Sequence, residues 1–122
     1  MRVLLADHHS QVRWALRTAI KEEPGLVVVG EVLESETLLS QAQALRPDLI
    51  LLEWELPGRP LEEVLSTLHA LNNGCQVFIL SRQPECETAA LEAGADAFIS
   101  KATAPEELLA TLRALAGDKK AV

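Results

Sequence analysis

Leu49-Ile50-Leu51-Leu52-Glu53-Trp54-Glu55-Leu56-Pro57-Gly58 is a run of four branched apolar residues that ends on a carboxylate and then turns. An apolar run of this length without polar alternation reads as a strand covered on both faces. Pro57-Gly58 supplies the turn chemistry that ends it. Glu53 therefore closes a buried strand.

Working outward, four similar runs give strands at Arg2–Ala6, Leu26–Glu31, Gln76–Ser81 and Asp96–Ser100, with the quoted strand spanning Asp48–Glu53. Helix-periodic stretches lie between and after them, at His9–Glu23, Ser35–Leu45, Pro60–Leu71, Glu85–Ala93 and Pro105–Ala116. Pro60 and Pro105 suit the first turn of a helix. Gly94 suits a left-handed C-terminal cap, while Pro24-Gly25 and Arg46-Pro47 end the first two helices. This alternation is the pattern of an α/β protein, a (βα)5 doubly wound parallel sheet of flavodoxin-like type. In strand order 2-1-3-4-5 the ligand site lies outside the carboxyl ends of the strands, where the order reverses. Asp7 and His8 follow the first strand, Glu53 closes the third, Ser81 the fourth, and Lys101 follows the fifth.

At 122 residues the chain fits one domain, with residues 1–117 forming its body and 118–122 a tail or the start of a linker. Its 48% hydrophobic content suffices for a core, and its apolar runs are too short to span a membrane. The first residues lead into structure rather than into a signal peptide, which reads as a cytoplasmic protein. Eighteen acidic against eleven basic residues give a formal charge of −7, which disfavours nucleic-acid backbones and anionic lipid surfaces. Cys75 and Cys86 lack metal or redox spacing and read as idle thiols.

Val3-Leu4-Leu5-Ala6-Asp7-His8-His9-Ser10-Gln11-Val12-Arg13, Leu51-Leu52-Glu53-Trp54-Glu55-Leu56-Pro57-Gly58, Leu91-Glu92-Ala93-Gly94-Ala95-Asp96 and Phe98-Ile99-Ser100-Lys101 follow one another in the order and spacing of a response-regulator receiver domain. Across nearly its whole length the chain resembles that CheY-like family. Its opening, with Val28-Val29-Gly30-Glu31, is most like the receivers of NarL/LuxR-type transcription regulators. The resemblance implies roles by position: Asp7 the first Mg²⁺-binding acid, His8 where a second acid is common, Glu53 the phosphoacceptor aspartate, Ser81 the phosphoryl-binding hydroxyl, Lys101 the neutralising lysine and Phe98 the switch aromatic. It also implies protein partners, among them a histidine kinase or a C-terminal DNA-binding domain, and a homodimer through the faces around the fourth and fifth helices.

Two departures weaken the implied chemistry. Glutamate at position 53 moves the acceptor oxygen by about one bond, and a misplacement of roughly 1 Å can cost on the order of 100-fold in rate. An imidazole at position 8 offers Mg²⁺ none of the oxygen ligands it prefers, so metal binding by Asp7, Glu53 and the Glu55 backbone is expected to be weak or lost. The sequence thus reads as an atypical, non-enzymatic receiver with no cofactor, in which Glu53 reaches Lys101, Ser81 or backbone donors. A conventional receiver tolerating Glu53 is the alternative. A flavodoxin-like small-ligand binder ranks last, because Asp7-His8-His9-Ser10 stands where a glycine-rich phosphate loop would be.

His8 is the pocket group suited to sensing pH. A zinc site of Asp7, His8 and His9 ranks low, since adjacent side chains on such a turn are expected to point apart and His9 to face solvent at the start of the first helix. Trp14 is expected to lie off the core face, Trp54 to pack under its loop, and Gly58-Arg59-Pro60-Leu61 to form a stiff loop whose helix begins at the proline.

Overall fold

The computed structural model describes residues 1–71, 74–101 and 108–114. Five strands, β1 (Arg2–Ala6), β2 (Val27–Val32), β3 (Leu49–Glu53), β4 (Gln76–Ser81) and β5 (Ala97–Ser100), form one parallel sheet of order β2-β1-β3-β4-β5. The helices are α1 (Ser10–Lys21), α2 (Ser35–Leu45), α3 (Leu61–Ala70), α4 (Glu87–Glu92), entered through a 3₁₀ turn at Pro84–Cys86, and α5, described over residues 108–114. The expected fold is borne out. The predicted starts of α5 at Pro105 and of a tail at 118 lie outside the described residues.

Alternation along each strand sends side chains to opposite faces, and both faces are covered. Leu4, Ala6, Ile50, Leu52, Val77 and Ile79 pack with residues of α2, α3 and α4. Val3, Leu5, Leu49, Leu51, Phe78 and Leu80 pack with Leu16 and Ile20 of α1 and Leu108 and Leu112 of α5. Every residue of β3, the central strand, is buried. In β2 the alternation slips: Val3 pairs with Val28 but Leu4 pairs with Gly30, so Val29 is an extra residue on the edge strand. Among the described residues no helix is long and apolar enough to cross a membrane.

Local chemistry sets the turns that carry the site. Arg46 adopts φ 48 and caps α2 ahead of Pro47, and Gly94 at φ +111 closes α4, both as expected. Pro60 precedes α3 as its N-cap, so the helix begins at Leu61, one residue later than the proline itself. The loop before it is stitched to the start of α2. Buried Ser35 donates its backbone N–H to Pro57 O at 2.9 Å, its Oγ accepts Arg59 N–H at 2.8 Å, and Arg59 Nε reaches Glu36 at 2.5 Å.

Gly58 makes that stitch sterically feasible. Its φ is +117, and a Cβ there would lie 2.1 Å from Ser35 Oγ. Gly58→Ala is therefore expected to cost about 1–3 kcal/mol, seen as a lower urea midpoint at unchanged slope. Gly25→Ala, at φ +89 with no neighbour within 4 Å, should cost less.

Candidate functional site

Backbone ladders run one residue past three strand ends and deliver the polar residues to a common edge. Asp7 N–H donates to Val32 O at 3.1 Å, Trp54 N–H to Leu80 O at 2.8 Å and Lys101 N–H to Ser81 O at 2.8 Å. Asp7, Glu53 and Lys101 are thereby fixed by the sheet itself, with Asp7 and Glu53 only 1% and 2% exposed. A carboxylate this buried needs compensating partners.

Glu53 finds four. Its Oε2 accepts the His8 backbone N–H at 2.9 Å and lies 2.6 Å from His8 Nδ1. Its Oε1 lies 3.0 Å from His9 Nδ1 and 3.4 Å from Lys101 Nζ. Lys101 also faces Asp7 Oδ2 at 2.9 Å, while Asp7 Oδ1 accepts His9 N–H at 2.8 Å and lies 3.2 Å from His9 Nδ1. Burial pushes the Glu53 carboxyl up, but the His8 backbone N–H, the His8 ring and the Lys101 charge together outweigh it and hold the group below the usual glutamate range.

Of the residues singled out from sequence, the structure brings Asp7, His8, Glu53 and Lys101 into direct contact. Ser81 shares the small cleft with Glu53 and Lys101, but its Oγ accepts Gln83 N–H at 3.0 Å and turns to its own loop. Glu55 lies at the rim of that cleft, exposed. Phe98 packs partly buried against the core on the α2–α4 face, as does Trp54, and Trp14 stands 61% exposed on α1.

His9 is the correction. It does not point away from His8: the two ring centroids lie 3.9 Å apart, and both Nδ1 atoms face Glu53. The cause is local. Asp7 Oδ1 accepts the N–H two residues on, an Asx turn that folds the backbone back and converges successive side chains. An aspartate two residues before the N-cap of a helix, here His9, is the signal that identifies such a turn. Arg13 was also missed: its Nη1 donates to Asp7 O at 2.8 Å and its Nε lies 3.3 Å from Glu31, which pairs with Arg17 at 2.6 Å. These contacts brace the β1–α1 turn against β2.

The chemistry available is that of two imidazoles and two buried carboxylates beside one ammonium. Asp7, His8, His9 and Glu53 each offer a donor atom, all within 4.8 Å of one another. The carboxylates outnumber the fixed cation, so the cluster attracts a proton or a metal ion.

A family model described as the response regulator receiver domain matches residues 3–113. The nitrate/nitrite response regulator protein NarL of Escherichia coli K12 is 37% identical over 119 residues, covering 95% of this chain and 55% of that protein. The nitrate/nitrite response regulator NarP of the same strain is 30% identical over 121 residues, covering 98% of this chain and 56% of NarP. The chain spans about half the length of these curated relatives. Among solved structures, the signal receiver domain of a NarL response regulator from Mycobacterium tuberculosis matches with TM-score 0.86 at 25% identity, over 95% of each chain.

The depressed Glu53 carboxyl carries a stability consequence. A group held below its unfolded-state value adds stability above that value and loses it as pH falls through the folded one. The melting temperature of the protein should exceed that of Glu53→Gln at neutral pH, and calorimetry should show the gap closing as pH drops from about 5 toward about 3.

Proposed function

Because the chain belongs to the response regulator receiver domain family, and so is the receiver of a two-component response regulator, we propose that it is an atypical receiver that signals through protein contacts without a phosphoryl group on residue 53. The observation that carries this reading is the commitment of both Glu53 oxygens. To attack a phosphoryl donor, a carboxylate oxygen must present a lone pair in line with the phosphorus. Here Oε2 is held by the His8 N–H and ring, and Oε1 by His9 and Lys101. In-line attack would break contacts that compensate a buried charge.

The donor set also argues against Mg²⁺. That ion takes near-octahedral oxygen ligands and gives up water reluctantly, whereas two imidazole nitrogens stand at 2.6 and 3.0 Å from the Glu53 oxygens. The residues present do not fit Mg²⁺, and no step of the proposed function passes through it. The Glu53 contacts with Lys101 and His8 instead give one fixed arrangement at the strand ends, supported by the stitched loop at Gly58-Arg59. Partners are proteins: a DNA-binding domain of the kind a NarL/LuxR-type regulator carries, and a histidine kinase where one still docks.

The test is direct. Incubated with acetyl phosphate and millimolar Mg²⁺, the protein should show no phosphorylated species by intact-mass spectrometry, and calorimetry should detect no Mg²⁺ binding. The double change His8→Asp with Glu53→Asp is expected to gain both, and Glu53→Asp alone less. A phosphorylated fraction mapped to Glu53 in the unaltered chain would establish the conventional receiver instead.

A further inference from the structure

We propose that the side chains of His8, His9, Asp7 and Glu53 form a binding site for a transition-metal ion of the Zn²⁺ or Co²⁺ class. The inference concerns metal binding itself and stands whether or not residue 53 ever takes a phosphoryl group.

The donor chemistry comes first. Two imidazole nitrogens with two carboxylate oxygens make a borderline N₂O₂ set, which suits Zn²⁺ and Co²⁺ and disfavours a hard cation such as Mg²⁺. Geometry agrees. A tetrahedral ion with bonds of about 2.0–2.1 Å separates its ligand atoms by about 3.3 Å. His9 Nδ1 lies 3.2 Å from Asp7 Oδ1 and 3.0 Å from Glu53 Oε1, and His8 Nδ1 lies 2.6 Å from Glu53 Oε2. The four donor atoms lie within 4.8 Å of one another, and admitting the ion needs a shift of the His8 ring outward from Glu53 Oε2, with the wider-spaced donors drawn inward. His8 and His9 are 38% and 35% exposed, so the rings have room to make it and the ion has an entry path.

The buried half of the site is already held. Asp7 Oδ1 is oriented by the His9 N–H, Asp7 Oδ2 by Lys101, and Glu53 by the His8 N–H. Such outer contacts fix ligand direction in metal sites. Lys101 is the opposing charge, and it sits on Asp7 Oδ2 and Glu53 Oε1. Two carboxylates against one ammonium still leave about one negative charge for a dication. On binding, any proton bridging an Nδ1 and a carboxylate gives way to the ion, and each neutral ring keeps its proton on Nε2.

The experiment uses the full chain with Zn²⁺ in calorimetry and Co²⁺ as a spectroscopic probe, and Mg²⁺ as the control. One ion per chain should bind, the Co²⁺ complex should show the intense visible bands of tetrahedral coordination, and the thermal melt should rise with Zn²⁺ and not with Mg²⁺. Either His8→Gln or His9→Gln should weaken binding at least as much as loss of an outer partner does, about 10–100-fold, measured on variants whose circular dichroism shows them folded. His69→Gln, altering a histidine on α3, should leave binding unchanged. Absence of binding, or binding that survives both His8→Gln and His9→Gln, would overturn the assignment. A metal-binding result leaves the acetyl phosphate experiment to be judged on its own.

Discussion

A carboxylate that is almost wholly buried has to be compensated on the spot, and Glu53 meets that requirement by drawing on two separate segments. The backbone and ring of His8 and the ring of His9 come from the β1–α1 turn, and the ammonium comes from the residue after β5. This is available only because β1 and β5 end at the same edge of the sheet as β3. The buried charge and the strand order are therefore one constraint. A different order would leave Glu53 without partners at the centre of the fold.

The sheet is legible because unbroken apolar runs of strand length alternate with helix-periodic stretches along the chain. The bounds of β1 and β4 match the apolar runs, β3 and β5 begin one residue later than expected, and β2 is displaced by one. The displaced strand is also the one with the extra residue at Val29, where the two-residue repeat breaks and boundaries lose their signal. Four of the polar strand-end residues converge as the topology requires. The direction of His9 was not legible, because it depends on a side-chain-to-backbone bond two residues long rather than on any repeat. Of the partners expected for Glu53, Lys101 and a backbone N–H are found, while the Ser81 hydroxyl is satisfied by the nearby Gln83 N–H.

The loop after β3 shows how a sequence departure becomes a physical property. A proline at the N-cap of α3 fixes one dihedral, a positive φ at Gly58 fixes another, and Ser35 holds Pro57 and Arg59, on either side of that glycine, by one hydrogen bond each. Motion of this loop would require breaking contacts to a buried serine. A single fixed conformation next to Glu53 agrees with a pocket whose buried carboxylate is already held by His8, His9 and Lys101.

The extra residue in β2 also bears on how the protein behaves when crowded. β2 is an outer strand, and Val27 on it is 53% exposed, so its free backbone groups could template a strand from a neighbouring molecule. The bulge at Val29 bends that rim and puts its two halves on different registers, so a straight incoming strand can match only one of them. Glu31, clasped by Arg13 and Arg17, places a charged cluster on the second half. The irregularity that blurs the reading of β2 is thus a guard against edge-to-edge aggregation.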